Sequence, residues 1–374
     1  MKFAICGHPA FALRIQEQLK GSDIEFKFFI KELVSDRWSG DFITKLPMIK
    51  FWEFRYLIEL GELDGVIIVE EMQSPFANNA IQQFKFYNIP KVGIANLLYP
   101  NPFKPVQMLD PKKSFISYME TNIIDGCNLN CRGCTHFAGL FRRDEIYPLE
   151  NFHRDIEQLS KLCDVYTLRL LGGEPLLLKN VEDYIKIARK YLPDTHLQLV
   201  TNGLLVPSMP QSFFDTLRQN NFFVTVSIYP PTMKLADKIK KIFDSNGVRF
   251  GFISNFGDKF GVFLTLHSGN NPDKSRKACF NSGCRLLRDG KIYKCPIDAL
   301  GYRFAEYFGI ENYPKSTGID LYAQNFSAML QMLNGNVEMC GWCGEETRFI
   351  QWKSTNNPRI EDWLADPDEI KNFL

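Results

Sequence analysis

Apolar positions in the first hundred residues fall into short, nearly continuous runs separated by helical patterns. Lys2–Cys6, Ile24–Ile30, Leu63–Val69 and Lys91–Ile94 read as strands, with a helical pattern over Pro9–Leu19 after the first. Leu63–Val69 has the unbroken apolar texture of a strand buried on both faces. This alternation predicts a doubly wound α/β unit over residues 1–105 that ends in a Pro-rich linker, Tyr99 to Pro105. Alternation resumes with strands at Tyr118–Ile124, Thr167–Leu171, His196–Thr201, Val224–Ile228 and Val248–Ile253, and helices such as Leu149–Leu162 and Val181–Tyr191 between them. Unbroken βα repeats over 115–267 predict a barrel or partial barrel. From 268 to 374 the runs are short and broken by Gly, Pro and Asn, which predicts a third, loop-rich unit.

Charge narrows the class of protein. Lys plus Arg (44) nearly cancels Asp plus Glu (43), so the basic surplus of a nucleic-acid binder is missing. No apolar run reaches the length of a membrane-spanning helix. The start, MKFAICGHPAFALRIQEQLK, lacks a small-residue cleavage site and reads as a domain start, so a cytoplasmic location is expected. The ten cysteines change the picture more. Clustered cysteines in a reducing compartment bind metal or do redox chemistry more often than they pair. Three fall within 127–134 and five between 279 and 343; Cys6 and Cys163 stand alone and read as packing residues.

The first group, Cys127-Asn-Leu-Asn-Cys131-Arg-Gly-Cys134, directly follows a strand. A zinc site would need a fourth ligand, for which His136 is the alternative. Three thiolates without a fourth suit a [4Fe–4S] cluster with one open iron. Gly172-Gly173-Glu174-Pro175 ends the next strand; by itself it reads as a strand-to-helix turn. Thr201-Asn202-Gly203 follows the third strand, and Ser227 lies at the end of the fourth.

In this order and separation, C-x-x-x-C-x-x-C followed by GGEP resembles the radical SAM superfamily. With the doubly wound, Rossmann-like unit read over 1–105 ahead of it, the resemblance implies a partial (β/α)6 barrel in an α/β chain. It implies that Cys127, Cys131 and Cys134 hold the cluster, and that Gly172, Gly173, Glu174, Pro175, Asn202 and Ser227 face S-adenosylmethionine (SAM). Reductive cleavage of SAM would give methionine and a 5′-deoxyadenosyl radical that takes a hydrogen atom from a C–H bond. One departure stands out. The residue before the third cysteine is commonly aromatic in the family but here is Gly133, so His136 or Phe137 is expected to fill that space near the adenine.

Cys279, Gly290 and Cys295, followed by Cys340-Gly-Trp-Cys343, resemble the twitch subdomain, a shortened SPASM domain carrying one auxiliary [4Fe–4S] cluster. Zinc is the alternative occupant. Five cysteines compete for four places. Cys279, Cys295, Cys340 and Cys343 fit the family's spacing best, and Cys284 is the alternative to Cys279. An unused Cys284 is either an inert packing residue or a hydrogen-atom donor to a substrate radical. Two clusters and SAM are therefore the expected cofactors, and a flavodoxin- or ferredoxin-type protein the expected reductant.

The family likeness points to oxidation or epimerisation of a sugar or polyol carbinol, with a sugar or nucleotide-sugar as substrate. A peptide-modifying maturase is the alternative. The C-terminal cysteines are too few for the two auxiliary clusters of a full SPASM domain, and Val-Ser-Ile-Tyr229-Pro departs from the Ser-Leu-Asp-Gly of many maturases. The N-terminal unit lacks the G-x-G-x-x-G fingerprint, its first turn reading Gly7-His8-Pro9-Ala10, and is read as a docking or structural element.

Overall fold

The computed structural model describes residues 1–34, 45–69, 75–95, 106–254, 258–314, 316 and 318–373. The expected linker at 99–105 lies outside them. The described residues form two compact units, one of Met1–Tyr118, Lys161–Thr167 and Asp194–His196, the other of Met119–Ser160, Leu168–Pro193 and Leu197–Leu374.

The first unit carries strands β1 (Lys2–Gly7), β2 (Glu25–Val34), β3 (Met48–Ile49), β4 (Gly65–Val69), β5 (Val92–Ala95) and β6 (Val106–Met108) in the order β3-β2-β1-β4-β5-β6. All pairs are parallel except β5 with β6. Alternate residues serve opposite faces: Ala4, Cys6, Val66 and Ile68 pack in one apolar cluster, Phe3, Ile5, Ile67 and Val69 in another. A sheet covered on both sides needs apolar side chains at every position, which is why these strands read as continuous runs and not as alternation. The strand order reverses beside β1, as in doubly wound folds.

In the second unit the sheet order is β11-β10-β9-β8-β7-β13-β14-β15. Its members are β7 (Ser114–Ile124, from Met119 onward in this unit), β8 (Cys163–Gly172, from Leu168 onward), β9 (His196–Thr201, from Leu197 onward), β10 (Phe223–Ser227) and β11 (Arg249–Ile253). The sixth strand in chain order, β12 (Lys259–Leu264), lies outside this row. The remainder are β13 (Arg285–Arg288), β14 (Lys291–Tyr293) and β15 (Ile319–Asp320), and β16 (Cys343–Gln351) pairs antiparallel with β12. Helices Leu149–Leu162, Val181–Tyr191, Gln211–Gln219 and Ala236–Ser245 alternate with β7–β11 and bury one apolar stripe each, for example Phe152, Ile156 and Leu159. The result is a partial βα barrel whose strands present their C-terminal ends on one side.

Two sequence expectations need correcting. Cys163, which the sequence pattern reads as the end of the amphipathic helix before it, begins β8. Residues 268–374 hold more regular structure than the broken texture suggested, including helix Pro296–Phe308 and the nine-residue β16. Pro296 sits in the first turn of that helix and Gly309 caps it in a left-handed conformation, so both are boundary residues and not interruptions.

Candidate active site

At the C-terminal end of β7 the chain turns into the three-cysteine loop. Cys127 and Cys131 are buried, and with Cys134 they pack against Leu129, Leu204, Tyr229, Phe260 and Trp352. Leu129 N donates to Cys127 Sγ at 3.4 Å, and Trp352 Nε1 donates to Cys131 Sγ at 3.2 Å. Burial pushes the Cys127 thiol up to about 11 and raises Cys131 and Cys134 as well. A buried thiol without a cation stays protonated; a metal centre is what makes the thiolate the stable form.

The glycines of the next turn are dictated by this loop. Gly172 has φ +138°, and a Cβ there would stand 1.8 Å from the Ile124 carbonyl oxygen. A Cβ on Gly173 would stand 2.0 Å from the Gly126 oxygen. Without side chains the turn seats directly on the loop: Gly173 N donates to Ile124 O at 2.8 Å and Glu174 N to Gly126 O at 3.0 Å. Glu174 is fully buried, and its carboxylate accepts from Leu176 N (3.0 Å), Thr201 Oγ1 (2.7 Å) and Asn202 N (2.8 Å). Desolvation raises its pKa to about 7 against the pull of those donors. Pro175 opens the short 3₁₀ turn Pro175–Leu177.

Asn202 closes the circuit. Its backbone holds Glu174 while its side-chain amide donates to Asn128 Oδ1 at 2.7 Å and approaches Cys127 Sγ at 3.9 Å. The ends of β7, β8 and β9 are thereby locked together by hydrogen bonds. Ser227 closes β10, two residues before Tyr229. Phe137 is drawn elsewhere: it is fully buried against Phe304 and Trp363. His136 pairs through Nδ1 with Asn122 Oδ1 at 2.9 Å and lies 3.6 Å from Glu120. At Gly133 there is no room for an aromatic ring, since a Cβ there would meet Val262 at 2.6 Å and the Asp362 carbonyl at 2.7 Å. The aromatic rings beside the thiols are instead Tyr229, Phe260 and Trp352, stacked with Tyr229 between the other two.

Cys279, Cys295, Cys340 and Cys343 line one cavity, together with Asn281 and Lys294. Cys284 is not among its walls; it is buried at the edge of β13 beside Asn281. N–H donors already point at two of the four lining thiols, Asn281 N at Cys279 (3.3 Å) and Asp298 N at Cys295 (3.4 Å). Cys295 also caps the N-terminus of helix Pro296–Phe308, where the helix dipole favours an anion. The buried amide Nδ2 of Asn281 has no hydrogen-bond partner. An unpaired buried donor beside four thiols suits a sulfur-rich group in the cavity. Among the described residues, no three His, Cys, Asp or Glu side chains stand as close as the ligands of a single metal ion.

The seven thiols and the GGEP turn are those singled out in the sequence; three of the thiols share one loop and four line one cavity. Sequence reading missed Asn128 and Trp352. Asn128 sits inside the C-x-x-x-C spacing, where a short amide poised to cap a neighbour was a readable signal. Trp352 is brought in from 221 positions away, and no local pattern marks it.

Residues 121–252 match the family model described as the radical SAM superfamily, so the chain carries a radical SAM domain. Among curated relatives, the GTP 3′,8-cyclase of Helicobacter pylori (strain ATCC 700392 / 26695) is 27% identical over 146 residues, covering 38% of this chain and 43% of that protein. The GTP 3′,8-cyclase of Syntrophomonas wolfei subsp. wolfei (strain DSM 2245B / Goettingen) is 33% identical over 106 residues, 28% and 32% of the two chains. The chain thus spans less than half the length of these relatives. A solved structure, BtrN in complex with AdoMet and 2-DOIA, is similar over 66% of this chain and 98% of that one, at 16% identity and a TM-score of 0.38.

Proposed function

We propose that this chain is a radical SAM enzyme that cleaves SAM and oxidises or epimerises a carbinol carbon of a sugar, polyol or nucleotide-sugar. The observation that carries the proposal is the bonded circuit from the Cys127–Cys134 loop through the GGEP turn and Asn202. A cluster held there supplies one low-potential electron when bound. Cys127, Cys131 and Cys134 would hold it. The Gly172–Pro175 turn, Asn202 and Ser227 would orient SAM at the strand ends, and the stack of Tyr229, Phe260 and Trp352 would exclude water.

SAM plus one electron, drawn from a flavodoxin- or ferredoxin-type reductant, gives methionine and a 5′-deoxyadenosyl radical. Hydrogen transfer from the carbinol carbon then leaves 5′-deoxyadenosine and a substrate radical. Oxidation requires that one further electron and one proton leave this radical; Cys279, Cys295, Cys340 and Cys343 would hold an auxiliary cluster that could supply the one-electron acceptor. Epimerisation requires a hydrogen atom on the opposite face, for which Cys284, outside that cavity, is the candidate donor. The small-molecule reading is supported by the name of the relatives, since GTP is a phosphorylated ribose derivative. No helix among the described residues is long and apolar enough to cross a membrane. The proposal takes the cytoplasm as the compartment, since thiols must stay reduced to bind iron.

Anaerobic incubation of the reduced protein with SAM tests the first step. Methionine and 5′-deoxyadenosine should appear together, and their absence would sink the assignment. Iron and sulfide counts test the second site. The reconstituted wild type should hold about eight irons, given four per cluster. Cys279→Ala should fall to about four, and Cys284→Ala should stay at about eight. A loss confined to Cys284→Ala would reverse the ligand assignment.

A further inference from the structure

The segment that follows β16 is bonded along the whole three-cysteine loop. Arg132 N donates to Lys353 O at 2.8 Å, and Thr355 N to Asn130 O at 3.0 Å. The Ser354 hydroxyl donates to Leu129 O, Arg132 pairs with Asp362, and Trp363 Nε1 donates to Cys134 O at 2.9 Å. Each of these contacts reaches the backbone or a non-ligating side chain. Trp352 is different: its indole N–H ends on a sulfur, Cys131 Sγ, at 3.2 Å. The ring is held in that orientation by stacking on Tyr229, centroids 5.9 Å apart and 20° between planes, while Tyr229 stacks in turn on Phe260.

We infer that Trp352 is a positioning residue that sets the reduction potential of an iron–sulfur cluster held by Cys127, Cys131 and Cys134, raising it through the indole N–H donated to the Cys131 sulfur. The inference rests on the reading that these thiols hold a cluster. Adding an electron to such a cluster makes its sulfurs more negative. A donor fixed on one sulfur therefore stabilises the reduced form more than the oxidised form. Backbone donors such as Leu129 N come with the loop, whereas the Trp352 donor comes from a distant segment and can be removed alone.

The experiment is a dithionite titration followed by electron paramagnetic resonance, on full-length protein without SAM or substrate. The signal of the first site is the one lost when Cys127, Cys131 and Cys134 are all alanine. If no signal is lost, the cluster assignment itself fails, and this is seen before any Trp352 variant is examined. Trp352→Phe keeps the stacking ring and removes the donor. At a fixed potential it should shift the reduced-to-oxidised ratio about tenfold toward oxidised, a midpoint about 59 mV lower for a one-electron couple. Ser354→Ala loosens the same segment without touching a sulfur and should leave the midpoint at the wild-type value. An unchanged midpoint in Trp352→Phe, or an equal drop in Ser354→Ala, would overturn the inference. Should Trp352→Phe fail to retain iron, Trp352→His decides, because its ring N–H can still donate. A midpoint near wild type then supports the role of the donor, and a tenfold shift refutes it.

Discussion

Protein in which Cys127, Cys131 and Cys134 are all alanine is expected to form no 5′-deoxyadenosine from SAM and to keep about four irons. The three thiols lie on one loop and pack in one cluster with Leu129 and Trp352. The four thiols at the other cavity belong to separate elements, Cys295 at a helix N-terminus and Cys343 at the start of β16. Losing one set therefore leaves the other set's scaffold intact, and the remaining iron should sit at the second site. The check is anaerobic iron analysis beside chromatography of the SAM products. Wild-type amounts of 5′-deoxyadenosine from the triple variant would refute the role of the loop. Loss of all iron would show that the two sites fold as one.

Gly173→Ala is expected to slow SAM cleavage about 100-fold while iron at the first site stays bound. The added methyl group would stand 2.0 Å from the Gly126 oxygen and 2.6 Å from the Asp125 oxygen, both backbone atoms that no rotamer change can clear. The turn must lift from the cysteine loop, which strains the bonds from Gly173 N to Ile124 O and from Glu174 N to Gly126 O. Two such bonds contribute about 1–3 kcal/mol together. The larger consequence is positional, since a displacement of about 1 Å in a reacting arrangement can cost about 100-fold in rate. Product formation over a time course measures it, and a rate within about threefold of wild type would show that the turn's seating is not needed. Gly172→Ala should be at least as severe, because it adds a left-handed φ of +138° to its own 1.8 Å contact.

Much of this was legible along the chain because the signals are local. Period and run length mark β4 and the helix Val181–Tyr191, and the close spacing of Cys127, Cys131 and Cys134 marks a loop whose thiols pack together. GGEP marks a turn, although the reason for its glycines, contact with Ile124 and Gly126 on another strand, emerges only in three dimensions. Phe137 shows the opposite failure. Its position near the third cysteine suggested the cofactor, but a left-handed backbone (φ 53°) turns it into the core with Phe304 and Trp363. Sequence neighbours of a ligand need not face what the ligand holds. Spacing favoured Cys279 over Cys284 without excluding either; which of the two thiols lines a cavity with Cys295, Cys340 and Cys343 depends on how the fold turns the Cys279–Cys284 segment.

The clasp over the cysteine loop has a consequence for how the protein is made. Cys131 and Trp352 are 221 residues apart, so the three-cysteine loop leaves the ribosome long before the segment that covers it. At about 5–20 residues per second the thiols wait on the order of 10–40 s for that cover. During synthesis the loop is open to an iron donor and equally open to oxidants. After Trp352 and Trp363 arrive, entry requires the C-terminal segment to lift. Cluster loading during translation should therefore outpace loading of the finished chain.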